Sequence, residues 1–304
     1  MKPPPFAYEA PSSLDAALTR LAEFTAGEED VKLLAGGQSL VPLLNMRLSE
    51  PHVLIDLNGL ERELGGIRID GRELCLGALV RHRQLEEDPL VRTRLTVLSE
   101  LEHLVGHVAI RTRGTVGGSL AHADPSAELP LAAVALQAEL VLKSVRGERR
   151  VKAEDFFVTY FTTDLAPDEV LTEVRFPLPD GRTGQAIEEY ARRHGDFAVV
   201  AALAVTTLDE EGALVSGRLA LAGVGSTAED MSSHLRPLFG RPISQAALTQ
   251  VGDAVYSELE PDGDLHASSA YRKELARVLS ERALARALKR ASGGASAWDG
   301  STTS

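Results

Sequence analysis

Gly36-Gly37 and Gly117-Gly118 are the residues whose type and setting point most directly to chemistry. The first pair sits in Leu33-Leu34-Ala35-Gly36-Gly37-Gln38-Ser39-Leu40. The second sits in Arg113-Gly114-Thr115-Val116-Gly117-Gly118-Ser119-Leu120-Ala121-His122-Ala123-Asp124-Pro125. Each has an aliphatic or extended approach, two glycines and then a hydroxyl side chain. Glycine permits positive φ and lets another group come against the backbone without a Cβ in the way. Consecutive backbone N–H groups in such turns form anion-binding concavities, and a helix beginning just beyond them favours negative charge. Ser39, Thr115 and Ser119 add hydroxyl donors for a phosphate oxygen. Two such segments, separated by most of a domain, could hold a pyrophosphate from two sides. Asp124 and Glu128 follow the second segment, where a carboxylate either accepts from ribose hydroxyls or caps the helix expected near Ser126.

Other constellations are weaker. Ser39, Ser119, His122 and Asp124 invite a hydrolase reading, but neither segment has the Gly-x-Ser-x-Gly elbow. A serine, histidine and aspartate within six residues cannot easily converge as a triad. His103 and His107 have the i, i+4 spacing of metal ligands on a helix, yet no Glu follows His103 and Gly106 interrupts the helix. A surface or packing role suits them better. Gly223-Val224-Gly225-Ser226-Thr227-Ala228 fits a dinucleotide fingerprint after a strand, but no second parallel strand follows, so a tight turn is expected. Arg192-Arg193-His194-Gly195-Asp196-Phe197-Ala198 reads either as a salt-bridged turn or as a face toward a cofactor or partner protein.

The elements that must position these residues belong to a chain of 304 residues, 44% hydrophobic and 25% charged, which is enough for one large or two ordinary domains. A net charge of −12 argues against nucleic acid as the partner. Cys75 is the one cysteine, so the chain can neither close an internal disulfide nor hold an iron–sulfur cluster on four of its own thiolates. Met1-Lys2-Pro3-Pro4-Pro5-Phe6 lacks the apolar core of a signal peptide and no run reaches membrane-spanning length, so a cytoplasmic location is expected.

Ser12 and Asp15 read as caps of a helix carrying Leu14, Ala17, Leu18, Leu21 and Phe24, ended by Gly27. Buried strands are expected at Val31–Leu34 and Val53–Asp56, with a short helix from Leu40 capped by Ser39 between them. A hairpin turns at Asp70-Gly71, helices span Arg81–Glu86, Thr93–Leu104 and Ser126–Gln137, and strands run over Leu140–Val145 and Val170–Phe176. Pro177-Leu178-Pro179-Asp180-Gly181 is the sharpest break in composition. Beyond it come strands at Ala186–Arg192, Ala198–Leu208 and Leu214–Leu221, then helices around Glu229–Leu238, Ser244–Leu259 and Ser268–Lys289.

In this order, from about Phe6 to Lys289, these stretches resemble the FAD-binding medium subunit of the molybdenum hydroxylases. That group includes the medium chains of carbon monoxide dehydrogenase and caffeine dehydrogenase and the flavin domain of xanthine dehydrogenase. The most specific parts are Ala35-Gly36-Gly37-Gln38-Ser39-Leu40, Ile55-Asp56-Leu57, Arg111 to Asp124, Arg193 to Ala198, and Ser269-Ala270-Tyr271-Arg272.

The resemblance implies an α+β fold: an N-terminal vanillyl-alcohol-oxidase-like (PCMH-type) FAD-binding domain of two α+β subdomains over 1–178. A smaller domain with a three-stranded antiparallel sheet and helical bundle would follow over 179–290, and then a disordered tail over 291–304. It implies cofactor-binding roles for Leu33, Ala35, Gly36, Gly37, Gln38, Ser39 and Leu40. It implies the same for Thr115, Gly117, Gly118, Ser119, His122, Asp124, Glu128 and Leu171. Backbone groups of Ala35–Leu40 and Thr115–Ser119 would hold the pyrophosphate, Glu128 would lie near the nucleotide end, and Leu171 near the flavin ring. Glu188 stands where xanthine dehydrogenase has a lysine, which puts a cationic contact to the flavin there in question.

The resemblance further implies partners: a small subunit with [2Fe–2S] clusters and a large subunit with the molybdenum cofactor, as a dimer of heterotrimers. Substrate would be oxidised in the large subunit, and FAD in this chain would relay electrons to an external acceptor. The competing expectation is a stand-alone FAD oxidoreductase of the same N-terminal fold.

Overall fold

The structure, a computed structural model, describes residues 2–293. The tail expected over 291–304 lies outside the described residues from 294 onward, while Ala291 closes the last helix.

The chain opens with β1 (Ala7–Glu9), α1 (Leu14–Ala26), β2 (Val31–Leu34), α2 (Leu40–Met46), β3 (Val53–Asp56) and the single turn α3 (Glu61–Leu64). β3 lies between β1 and β2, parallel to both. α1 buries Leu14, Ala17, Leu18 and Leu21, the stripe its spacing predicts, each leucine contributing roughly 1.5–3 kcal/mol. Its cap is Ser13, one residue later than expected: Ser13 Oγ accepts the Ala16 N–H at 3.2 Å. β2 is only half-buried, because one of its edges opens onto a cleft.

The second part begins with the hairpin β4 (Ile67–Asp70) and β5 (Glu73–Gly77). Six helices follow: α4 (His82–Glu87), α5 (Pro89–Arg94), α6 (Thr96–Glu102), α7 (Val108–Arg113), α8 (Val116–His122) and α9 (Glu128–Ala135). Then come β6 (Glu139–Ser144), β7 (Gly147–Lys152), α10 (Ala153–Phe156), the small hairpin β8 (Phe157–Thr159) and β9 (Thr162–Thr163), and β10 (Val170–Pro177). Five of these strands make an antiparallel sheet in the order β4-β5-β10-β6-β7.

The helix expected over Thr93–Leu104 is two helices, broken at Leu95, whose backbone at φ −148° and ψ 62° is not helical. Asp88-Pro89 starts the first of them: Asp88 Oδ1 accepts the N–H groups of Leu90 and Val91, and proline suits the first helical turn. β7 is a strand the hydrophobic pattern misses, because it is an exposed edge of arginines and glutamate. The second glycine pair stands inside the first turn of α8 and not in a loop before it.

Beyond residues 178–181, β11 (Arg182–Tyr190), β12 (Val200–Leu208) and β13 (Leu214–Ala222) form the three long antiparallel strands, to which the two-residue β14 (Glu229–Asp230) adds an edge. A 3-10 turn (Ser232–Leu238), α11 (Gln245–Glu258) and α12 (Ser269–Ala291) cover one face of this sheet. Its other face joins the large apolar core of the second part through Ile187, Ala201, Leu203, Ala220 and Ala222. Among the described residues no helix is long and apolar enough to cross a membrane.

α12 crosses β11 at Gly184, where a Cβ would stand 1.9 Å from the Ala287 carbonyl oxygen. Gly184→Ala must therefore lift the helix from the sheet. We expect a loss of about 3 kcal/mol, the upper end of overpacking costs, read as a lower urea midpoint.

Candidate cofactor cleft

β2 ends at Leu34, whose carbonyl accepts the Leu57 N–H at 2.9 Å, and the chain then turns through Ala35–Ser39 into α2. The carbonyls of this turn are engaged within the protein. Ala35 O accepts from Asn58 Nδ2 at 2.9 Å, Gly36 O from Gln38 Nε2 at 3.2 Å and Gly37 O from the Val41 N–H at 3.0 Å. The N–H groups of Ala35, Gly36, Gly37, Gln38, Ser39 and Leu40 have no acceptor among the described residues. Ser39 precedes α2 as expected, but its hydroxyl makes no capping bond. Gly37 takes φ +72°, a conformation that side chains rarely adopt.

The second segment lies directly against the first. A Cβ at Gly36 would stand 2.4 Å from the Arg113 carbonyl oxygen and 2.7 Å from Gly114 Cα. Arg81 ties the two together, donating to the Arg113 carbonyl and, at 2.7 Å, to Asn58 Oδ1.

Here the backbone N–H groups are already used. Gly117 donates to Ala78 O at 2.8 Å, Gly118 to Thr115 Oγ1 at 3.1 Å and Ser119 to Thr115 O at 3.0 Å. The two glycine pairs thus differ in what they offer. The first presents donors. The second presents close packing, since a Cβ at Gly117 would stand 2.5 Å from Ala78 Cβ, together with the hydroxyls of Thr115 and Ser119.

Leu33, Ala35–Leu40, Thr115, Gly117, Gly118, Ser119, His122, Asp124, Glu128 and Leu171 all line one cleft of about 620 Å³, within the range of ligand sites. Leu171 enters from β10, next to a bulge in its pairing with β6. Gly195, Asp196 and Phe197 form part of the wall, so the Arg-Arg-His-Gly-Asp-Phe stretch does reach the cleft. Arg192 and Arg193 make no ion pair among the described residues, which sets aside the salt-bridged turn.

Several lining residues carry no signal in the sequence. His82 is a lone histidine after a hairpin, Ile110 belongs to a short helix, and Phe161 sits on the β8–β9 turn, its ring 5.1 Å from that of His122. Only their packing against the glycine segments identifies them.

The remaining motifs lie elsewhere. α6 ends before His103, which pairs with Glu86 at 3.2 Å, and His107 precedes α7 with its ring stacked on that of His194. The two histidines share no helix face. Gly223 is a turn leading into β14, and its carbonyl accepts from Arg272 at 2.8 Å, so no helix opens there to receive a dinucleotide. Glu188 pairs with Arg286 away from the cleft wall.

Buried charge concentrates behind the wall. Arg111 meets Glu86 at 3.0 Å and donates to the carbonyls of Val105 and Gly106, fixing that lip of the cleft. His82 Nδ1 lies 3.0 Å from a carboxylate oxygen of fully buried Glu102. Burial pushes the imidazole down, but the charge and hydrogen bond of Glu102 outweigh it, and its pKa is raised. Glu128 is raised by burial and then by Glu102; Glu189 is raised by burial and then by Glu128. Asp124 keeps its Oδ1 on the Ser126 N–H at 2.9 Å while lining the cleft, and the cap position of α9 falls to Ala127.

The model of the FAD binding domain in molybdopterin dehydrogenase matches residues 4–179, and that of the CO dehydrogenase flavoprotein C-terminal domain matches residues 185–287. The chain is 40% identical over 292 residues to the 6-hydroxypseudooxynicotine dehydrogenase complex subunit alpha of Paenarthrobacter nicotinovorans, covering 96% of this chain and 97% of that one. It is 35% identical over 285 residues to the carbon monoxide dehydrogenase medium chain of Hydrogenophaga pseudoflava, covering 93% and 97%. A chain in a solved structure of carbon monoxide dehydrogenase from Hydrogenophaga pseudoflava superposes with a TM-score of 0.91 at 35% identity, over 95% of this chain and 99% of that one.

His82, Glu128 and Glu189 all have folded-state pKa values above their ordinary ones. Stability linked to such groups is present at low pH and is lost as pH rises through the folded values. The urea midpoint is therefore expected to fall from roughly pH 6 to roughly pH 9, and to fall less in Glu189→Gln, which has no proton to lose.

Proposed function

The chain belongs to the family of FAD-binding domains in molybdopterin dehydrogenases, and on that premise we propose that it holds FAD in this cleft as the medium subunit of a heteromeric molybdenum hydroxylase. The observation that carries the cofactor assignment is the row of unengaged N–H groups from Ala35 to Leu40, with the neighbouring carbonyls turned inward. Such a row suits a dianionic pyrophosphate, and the cleft volume suits a dinucleotide.

In this reading Ser39, Thr115 and Ser119 add hydroxyl donors to the phosphates, and Gly36, Gly37, Gly117 and Gly118 keep the walls narrow. Asp124, Glu128 and His122 border the sugar portion, and Leu33 and Leu171 give apolar contact, Leu171 toward the ring. Residues 1–178 form the cofactor domain and 179–290 the C-terminal one. Bound there, FAD supplies a two-electron carrier between a partner's [2Fe–2S] clusters and an external acceptor.

The expected partners are a small iron–sulfur chain and a large molybdopterin chain, assembled as a dimer of heterotrimers in the cytoplasm. Two observations support this. The relatives are named as a complex subunit and a medium chain, and Cys75, the one cysteine, is buried, so the clusters need thiolates from elsewhere. Oxidation of the substrate then falls to the large subunit.

Heat release from the protein isolated from its host should yield FAD, about one per chain on this account; FMN, a nicotinamide or no cofactor would contradict it. The same preparation should contain the iron–sulfur and molybdenum chains, and a lone chain that oxidises an alcohol or sugar would favour a stand-alone oxidoreductase. Gly37→Val, strained at φ +72° and 3.1 Å from Val41 Cγ2, should weaken FAD binding at least tenfold, about 1.4 kcal/mol. Gly225→Ala, in the turn that mimics a dinucleotide fingerprint, should leave it unchanged.

A further inference from the structure

At the cleft wall one imidazole and two carboxyl groups are buried, with half-buried Glu189 reaching toward them and a single pairing in the group. His82 is 5% exposed and lies 3.0 and 3.1 Å from the two oxygens of wholly buried Glu102. Glu128 is 6% exposed, lines the cleft and pairs with no other side chain among the described residues. Glu189 reaches in from β11 with its Oε2 buried and without a hydrogen-bond partner, and its pKa is raised by burial and then by the charge of Glu128.

His82 is the one nearby cation that favours ionised Glu128, and Glu102 opposes it more strongly; Glu189 feels the like charge of Glu128. α4 brings His82 and Glu86, α6 brings Glu100 and Glu102, and α7 brings Arg111. Asp124 stands before α9, and β11 also carries Glu188. Arg111 is held by Glu86, Arg286 by Glu188 and Arg290 by Glu100. The His82–Glu102 pair is neutral as a unit and compensates no further negative charge. A buried carboxylate without a partner is unfavourable, and two adjacent ones cannot ionise independently.

We propose that Glu128 and Glu189 form a proton store at the cleft wall, and that seating an anionic ligand in the cleft draws protons from solvent onto them. The proposal rests on the reading of the cleft as the FAD site. The chemistry is protonation alone: an O–H bond forms on a carboxylate, water or buffer gives up the proton, and nothing is oxidised or reduced. The direction follows from charge, since a pyrophosphate nearby adds negative potential and raises the proton affinity of both acids. Affinity for the ligand then falls as pH rises, by up to about tenfold per pH unit for each proton taken up.

Two measurements test this on the complex isolated from its host and stripped of flavin. The first is calorimetry of FAD binding near pH 8 in two buffers of different ionisation enthalpy, which counts protons taken up. Uptake is expected in the wild type and in Glu260→Gln, an exposed carboxylate paired with Lys273 away from the cleft, and should shrink in Glu189→Gln. The second needs no flavin: the infrared spectrum at neutral pH should contain a protonated-carboxyl C=O band that Glu189→Gln or Glu128→Gln diminishes.

Equal heats in both buffers, uptake unchanged by Glu189→Gln, or absence of the band would each overturn the proposal. Failure of the wild type to bind FAD would instead overturn the cofactor reading, and the infrared band would still decide whether the acids hold a proton. Should Glu189→Gln not fold, the buffer dependence and the band of the wild type carry the decision.

Discussion

The cleft depends on direct contact between two stretches of backbone. Gly36 has space for no Cβ against the Arg113 carbonyl and Gly114, and the Arg81 guanidinium bonds the Arg113 carbonyl on one side and Asn58, which holds the Ala35 carbonyl, on the other. With the carbonyls of Ala35, Gly36 and Gly37 drawn inward by Asn58, Gln38 and Val41, the N–H groups face the other way. Most of this row opens onto the cleft, with Gln38 and Ser39 exposed, so an acceptor from outside the chain can reach it. The second glycine pair makes the contact possible without presenting backbone donors of its own, because α8 and Ala78 already use its N–H groups.

The same geometry explains how a chain of net charge −12 can receive a pyrophosphate. Lys32 is the only lysine or arginine among the lining residues; of the arginines behind the wall, Arg111 is held by Glu86 and Arg149 by Glu169, while Arg81 is bonded to the neutral oxygens of Arg113 and Asn58. Oriented backbone dipoles, which need no counter-ion, therefore supply the positive potential at the first segment itself, with the Arg81 guanidinium beside it. The acids at the cleft wall set the cost of each further negative charge, which links cofactor binding to protonation.

Much of this was legible in the sequence, because the relevant signals are local. The glycine pairs, the hairpin at Asp70-Gly71, the stripe of α1 and the three long strands after the break at 177–181 each follow from a few adjacent residues. The family motifs added Leu171, which no local pattern would select. What escaped was tertiary. His82, Phe161 and the lip at Val105-Gly106 line the cleft only because α4, α7 and the β8–β9 hairpin pack around the glycine segments. The difference between the two glycine pairs also escaped, since the acceptors for Gly117 and Gly118 are Ala78, distant in sequence, and the Thr115 side chain.

Amide hydrogen exchange, resolved to these two segments with and without FAD, tests the central claim most directly. Amides from Ala35 to Leu40 should exchange rapidly without FAD and become protected when it binds, while those of Gly117, Gly118 and Ser119 should be protected in both states. Protection that appears at the second segment and not at the first would contradict the account.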